Sequence, residues 1–467
     1  MKKKFVIIGA GLAGLTCANL LAEKDIDVTI IEKQKTIGGL AAGINENGFS
    51  MDIGPHYMVL PKDSVITEKI KNMLGEKNLL SFLDFANSHK AYFNNKVRRK
   101  FPTIKEFLNQ KSRFFRINVF LEIFFLKIKL VFSKSEYKSG NEYLKKNYGK
   151  LLYENWFKYY YSNIFEEENL PKDFVMNQFP PIELKKRRRN IKGSQDNLKK
   201  SPFFDCYPRF GMNDLIKKLN EELTKNKVEI ILDSNIESIE RKDNEKIITY
   251  EKDDKKLQLV FDGIVFAVPP SKAINWLSNS TEKIKSNSNK TPVAYNAIIT
   301  YLFVDQEKVF DGWIINLYDP KFLISRISQQ NHLSKNIAPE GKSLLTIEIK
   351  CNPSDKIWKN TDDEIYNVVI KEIKKMDILN AEKIFGHRII RIPRIYPKFN
   401  SIQVNDEKLV NLINSNENEY TFSHEYDSNN LISNDTDNNK QYRLGGMLIG
   451  ISSAYNLVEQ IIINLKK

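Results

Sequence analysis

Apolar residues open the chain in an unbroken run. Phe5, Val6, Ile7 and Ile8 follow MKKK with no polar residue between them, the pattern of a strand buried on both faces of a parallel sheet. The spacing then changes, with Leu12, Leu15, Ala18, Leu20, Leu21 and Ala22 following an approximately helical pattern. A second apolar run at 28–31 ends on Glu32. Strand, glycine turn, helix, strand and acid fit within the roughly 30 residues of a βαβ unit.

Further on, NENG (45–48) predicts a hairpin turn, and so does Asn94-Asn95 within 91–102. Residues 103–175 read as helical and aromatic-rich, and 183–201 as a polar, basic loop. Between 207 and 270 a glycine turn enters an amphipathic helix, followed by strands at 228–232, 236–241, 247–251, 257–261 and 263–267. Helices and strands alternate over 271–385, and 389–400 is extended and bounded by prolines. The chain closes on Gly445, Gly446 and Gly450 before a helix carrying Ala454, Leu457, Val458, Ile461 and Ile462. No internal repeat of 20–50 residues is visible.

The first turn carries chemistry. Gly9 allows the chain to turn sharply out of the strand, Gly11 lets the backbone approach a pyrophosphate, and Gly14 lets the helix pack against the sheet. The helix N-terminus offers free N–H groups and partial positive charge to the anion. Glu32 stands 18 positions after Gly14, near the expected offset of about 20, where a carboxylate accepts from both ribose hydroxyls and repels a 2′-phosphate. The turn therefore makes room for an ADP moiety. Gly38-Gly39 is a second point of close backbone approach.

Composition narrows the rest. A chain of 467 residues suggests two domains or one large discontinuous fold. The formal net charge of +14, from 72 basic and 58 acidic side chains, suits an anionic ligand or a membrane surface. A nucleic-acid partner is not expected, since the basic stretch lacks aromatic interleaving or a known module. Cys17, Cys206 and Cys351 are far apart, so neither a disulfide framework nor a metal site is implied, in keeping with a reducing cytoplasm. No leader is expected, because the first strand begins directly after MKKK, and no stretch is apolar enough to span a bilayer. RFFRINVFLEIFFLKIKLVF (113–132) comes nearest, and reads either as a core helix of a substrate domain or as a basic amphipathic face touching a membrane.

GAGLAGL, IEK and IGGLAAG…GFSMDIGPH together resemble the flavin-dependent amine oxidase superfamily, and within it the protoporphyrinogen-oxidase-like and UDP-galactopyranose-mutase-like oxidoreductases. AYFNNKVRRKFPT, YPRFGMNDLIKKL, DGIVFAVPP, RIPRIYPKFN and GGMLIGISSAYNLVEQI extend the likeness over most of the chain, least over 271–385. The resemblance implies an α/β fold with a doubly wound, Rossmann-like FAD-binding domain of the GR2 type. That domain would be discontinuous, built from 1–60, 205–270 and 386–467. A mixed α+β substrate domain would comprise a hairpin with a helical insertion (61–204) and a sheet-and-helix part (271–385).

It also implies site residues. Gly9, Gly11, Leu12, Ala13 and Gly14 would contact the pyrophosphate of FAD. Glu32, with Lys33 beside it, would hold the adenosine ribose. Gly39 and Leu40 would follow the ribityl-diphosphate, and Ile236 would meet the adenine. Gly450 and Ile451 would start the helix facing the flavin N1–C2=O edge. His56 would stand near the isoalloxazine, or be an ordinary hydrogen-bonded loop histidine. YTFSHEY (420–426) departs from the family's glycine-containing motif, although Glu425 could still accept a ribityl hydroxyl.

The expected activity is transfer of a hydride from a small molecule to flavin N5. A nucleotide-sugar mutase is the alternative, with Arg209, Arg391, Arg394 and Lys398 as anion contacts, and a flavin-binding protein with little catalysis the third reading. The substrate would be a nucleotide sugar or an apolar isoprenoid-like molecule, and the location cytoplasmic with peripheral membrane contact through 113–132.

Overall fold

The structure, a computed structural model, describes residues 2–82, 88–93, 95–131, 137–162, 172, 175–176, 179, 203–242, 245–277, 294–397, 413–414, 418–421 and 446–466. The basic stretch 183–201, Lys398, Glu425 and the polar loop 427–441 lie outside the described residues.

The first apolar run is the strand Lys4–Ile8, central in a five-stranded parallel sheet. Across the sheet the order is Glu229–Ile231, Asp27–Ile31, Lys4–Ile8, Gly263–Phe266 and Glu419–Thr421. Its residues are continuously apolar because both faces are covered. Phe5, Ile7, Val28 and Ile30 meet a layer of three helices, Leu12–Ala22, Met212–Lys225 and Gly446–Leu465. Val6, Ile8, Ile264 and Phe266 meet a three-stranded antiparallel sheet, Asn235–Lys242, Glu245–Lys252 and Lys255–Phe261, through Ile239, Ile248 and Tyr250. The closing helix is held to the first although more than 400 residues separate them. Ala454, Leu457, Val458 and Ile461 are all buried there, and each large aliphatic side chain stabilises the contact by roughly 1.5–3 kcal/mol.

A seven-stranded sheet forms the second part, in the order Ile384–Pro397, Ala294–Val304, Ser343–Cys351, Ile324–Gln329, Ile314–Leu317, His89–Phe93 and Lys96–Arg98. One face buries Ile298, Leu302, Leu345 and Ile347 under the helix Asp362–Met376. The other turns Ala297, Ile299, Tyr301 and Phe303 toward Phe49 and Met51 of the dinucleotide-binding part, with the Phe49 and Phe303 rings stacked at 4.5 Å. Both faces are thus buried, and for that reason AYNAIITYLFV shows no alternation of polar and apolar positions.

The expected hairpins are present. Gly43–Glu46 and Phe49–Asp52 pair around Asn47 and Gly48, both at positive φ as a two-residue hairpin turn of this hand requires. His89–Phe93 pairs with Lys96–Arg98, with Asn95 at φ 57°. One expectation needs correcting. The resemblance implies that 386–397 belongs to the FAD-binding domain, yet Ile384–Pro397 is an edge strand of the seven-stranded sheet. Its β-branched run finds a partner in the long strand Ala294–Val304, antiparallel along nearly its whole length. The described part of 103–175 is helical, as expected, and no helix among the described residues is long and apolar enough to cross a membrane.

Candidate active site

The glycine turn sits where the first strand meets the first helix. Gly9 has φ 105°, and a Cβ there would lie 2.7 Å from the Ala267 carbonyl oxygen. A Cβ on Gly14 would come within 2.0 Å of the Gly9 carbonyl oxygen, so the helix could not approach the strand with any other residue. Gly11 differs: a Cβ there would project into space with no atom within 4 Å. It is also the N-cap of Leu12–Ala22, and no side chain caps that helix. The N–H groups of Leu12, Ala13 and Gly14 therefore have no intrahelical acceptor and face the same opening. This fits the pyrophosphate of FAD, an anion that accepts from backbone donors.

The second glycine turn closes on the first. Gly38 N donates to Ala10 O at 2.7 Å, and a Cβ on Gly39 would stand 3.2 Å from Gly11 Cα. Leu40, in the short helix Gly39–Ala41, is exposed beside them. Glu32 accepts from Ala10 N at 2.6 Å and from Gln34 N at 2.8 Å. Each carboxylate oxygen keeps a further lone pair for a ribose hydroxyl. Lys33 is exposed next to it. Ser234 N donates to Glu32 O at 3.0 Å, which brings the start of the strand holding Ile236 close to Glu32.

The two ends of the chain converge as the sequence implied: the Cβ position of Gly450 is 3.6 Å from Ala13 Cβ. The expected helix start, however, shifts. The helix begins at Gly446, so Gly450 and Ile451 lie one turn inside it, and Ile451 is buried in the core. The N–H groups without intrahelical acceptors are those of 446–448, by the same count as in the first helix.

The loop that follows Asp52 packs on the seven-stranded sheet. Tyr301 Oη donates to Asp52 O at 2.7 Å, Gln330 Nε2 donates to Gly54 O at 3.1 Å, and the Tyr57 ring meets Trp313 edge-on at 5.4 Å. The Asp52 carboxylate is wholly buried. It accepts from Tyr207 Oη and, at 2.9 Å, from Met212 N at the start of another helix. Burial pushes its pKa up to about 7, against the pull of those two hydrogen bonds.

His56 ends this loop with its Nδ1 enclosed and without a hydrogen-bond partner. Burial lowers its pKa to about 4; the Glu348 carboxylate opposes that shift and Arg326 adds to it. The imidazole is therefore neutral at pH 7. Arg326 and Glu348 are cross-strand neighbours on the same sheet face. Two hydrogen bonds link them, Nε to Oε1 at 2.7 Å and Nη2 to Oε2 at 2.6 Å.

Sequence reasoning missed Asp52, Tyr301, Arg326, Gln330 and Glu348. A signal existed for Glu348, the one acid in the mostly apolar run SLLTIEIKC.

The expected anion contacts are not gathered in one place. The Arg209 guanidinium donates to Lys77 O at 3.2 and 2.8 Å. Arg391 points to the helix side of its sheet, onto Asp362 Oδ1 and Asn360 O, both at 2.6 Å. The side chain of Arg394 lies outside the described residues. No cluster among the described residues could hold a metal ion, and all three cysteines are free and buried, their thiols raised in pKa by burial.

Residues 12–385 match the family model "Flavin containing amine oxidoreductase". Coproporphyrinogen III oxidase of Bacillus subtilis is 23% identical over 411 residues, 82% of this chain and 84% of that protein. A 4,4′-diapophytoene desaturase of Staphylococcus aureus (strain COL) is 32% identical over 103 residues, only 20% of its length. Among solved structures, reduced UDP-galactopyranose mutase superposes with a TM-score of 0.72 at 17% identity, covering 99% of this chain and 96% of that one. A protoporphyrinogen oxidase candidate from Exiguobacterium sp. 255-15 gives 0.69 at 16% identity, with full coverage of both chains. These likenesses establish the doubly wound fold, and the match to the family model goes further: the chain belongs to the flavin-containing amine oxidoreductases, with FAD as its cofactor.

Proposed function

We propose that the protein is an FAD-dependent oxidoreductase that takes a hydride from an apolar, isoprenoid-like or ring-bearing small molecule. Bound FAD supplies the hydride acceptor, at its N5. The chain's own residues bind, orient and shield. The N–H groups of Leu12, Ala13 and Gly14 receive the pyrophosphate, Glu32 takes the ribose, and the loop 52–57 forms the wall opposite. His56 is neutral, so it would stand beside the substrate space without adding charge.

One observation carries the substrate class. At its hairpin end, the sheet face bearing Arg326 and Glu348 continues into an aromatic layer: Phe93 against Phe101 at 4.9 Å, Phe101 against Tyr318 at 4.4 Å, and Trp156 stacked on Tyr160 at 5.1 Å. Phe101, Tyr160 and Tyr318, only partly buried in that layer, would line the substrate space, exclude water and favour an apolar substrate. The names of the porphyrinogen-oxidising and desaturating relatives agree with it. The nucleotide-sugar alternative depends on cations, and Arg209 and Arg391 are engaged elsewhere. Three free, buried cysteines support action in the reducing cytoplasm.

The test is anaerobic mixing of the FAD-loaded protein with porphyrinogens, polyprenoids, amines and UDP-sugars, following flavin absorbance. Bleaching by a porphyrinogen or polyprenoid is expected. Turnover of a UDP-sugar only after dithionite reduction would establish the mutase instead. A protein that does not retain FAD would leave only the non-catalytic reading.

A further inference from the structure

The helix Arg113–Val131 has one buried face. Val119 is buried, and Phe115 and Ile123 pack on the aromatic cluster of the helical part. Glu122, the only acid in the helix, turns the same way and accepts from Lys150 N and Leu151 N at 2.8 and 3.0 Å. The other face carries Phe114, Ile117, Phe120, Leu121, Phe124, Phe125 and Ile128, each between 43% and 74% exposed. At about 100° per residue these seven fall in a single stripe roughly 140° wide. The stripe is continuous, since the rings of Phe120 and Phe124 stack at 6.5 Å and Phe125 meets Phe124 at 5.8 Å. A soluble protein seldom leaves so much contiguous apolar surface without a use for it. By the same angular count Arg116 and Lys127 border the stripe, while Arg113 stands at its N-terminal end.

We propose that this face seats the protein on the surface of an anionic lipid bilayer, the phenylalanines entering the acyl boundary and the bordering cations meeting lipid phosphates. Charge selects this partner. The outer face of the helix is apolar and cationic, with its single acid turned inward. A second copy docking the same face around a two-fold axis would set this cationic border against another of like charge, with no acid from this helix to meet it. A phosphate-bearing membrane surface complements both properties at once. The helix lies in the interface and does not cross it. The seating depends on this surface alone and holds whatever the substrate is.

The experiment sediments the FAD-loaded protein with phosphatidylcholine vesicles, with and without phosphatidylglycerol. Binding to the anionic vesicles at low salt is expected, weakened by roughly tenfold or more in pure phosphatidylcholine or in high salt. The double variant Phe120→Ser/Phe124→Ser should lose binding while keeping its flavin and its circular dichroism. Arg116→Gln/Lys127→Gln provides a second test that leaves the apolar stripe intact, and should weaken binding to the anionic vesicles by about tenfold. No binding of the wild type at low salt, or unchanged binding by both variants, overturns the proposal. So does a wild-type dimer in light scattering that Phe120→Ser/Phe124→Ser converts to monomer.

Discussion

Arg326 and Glu348 form a two-bonded pair across neighbouring strands, and the Glu348 side chain is only 3% exposed while that of Arg326 reaches solvent at 30%. The asymmetry predicts unequal effects of breaking the pair. Arg326→Met leaves a buried carboxylate uncompensated and should destabilise the protein by roughly 3 kcal/mol. Glu348→Gln leaves a guanidinium that can still reach water, and should cost about 1 kcal/mol. Urea-unfolding midpoints read the difference; equal shifts would count against the pair's geometry.

Gly11 and Gly14 separate binding from folding. Gly11→Ala adds a methyl where nothing lies within 4 Å, so the stability of the cofactor-free chain should change by less than about 0.5 kcal/mol while FAD affinity falls at least about tenfold. Gly14→Ala drives a methyl to 2.0 Å from a backbone oxygen and should lower both. Thermal unfolding of the apoprotein, set beside FAD titration, distinguishes the two. A destabilised Gly11→Ala apoprotein would show that the turn is packed and not open.

Asp52 and His56 make opposite pH-dependent contributions to stability. Between pH 3.8 and about 7 the folded chain keeps Asp52 protonated while the unfolded chain has released that proton. Raising pH through this window therefore lowers stability. His56 stays neutral in the folded chain down to about pH 4, whereas the unfolded chain takes up a proton below 6.5, so stability is lost as pH falls from 6.5 to 4. The difference in stability between wild type and Asp52→Asn should fall as pH rises toward 7. The difference for His56→Gln should rise between 4 and 6.5. Denaturant midpoints across this range measure both slopes, and two slopes of the same sign would refute the assignment.

Gly450 faces Ala13 with room for a single methyl, at 3.6 Å from Ala13 Cβ. Gly450→Ala should be nearly neutral. Gly450→Leu should force the closing helix away from the first and reduce FAD retention several-fold while the apoprotein still folds, as absorbance after gel filtration would read. Full retention by the leucine variant would mean that the two helices do not frame the cofactor together.

By itself, the sequence determined whatever depends on neighbours along the chain. Gly9, Gly11, Gly14 and Glu32 could be placed because a strand, a turn, a helix and an acid follow one another within one short unit, and backbone geometry fixes the rest. The turn at Asn47-Gly48 was legible for the same local reason, since those residues tolerate positive φ. The surroundings of Asp52 and His56 were not legible. Asp52 meets Tyr207, Tyr301 and Met212 from more than 150 positions away, and Arg326 finds Glu348 only through strand register. Nor could the sequence say which side of the helix Arg113–Val131 faces inward, for apolar residues occur all around it. Tertiary packing decided that, by taking Val119 and Glu122 into contact and leaving the phenylalanine stripe outside. Periodicity records where side chains point from one element, whereas a buried charge or an exposed ring is defined by what another element brings against it.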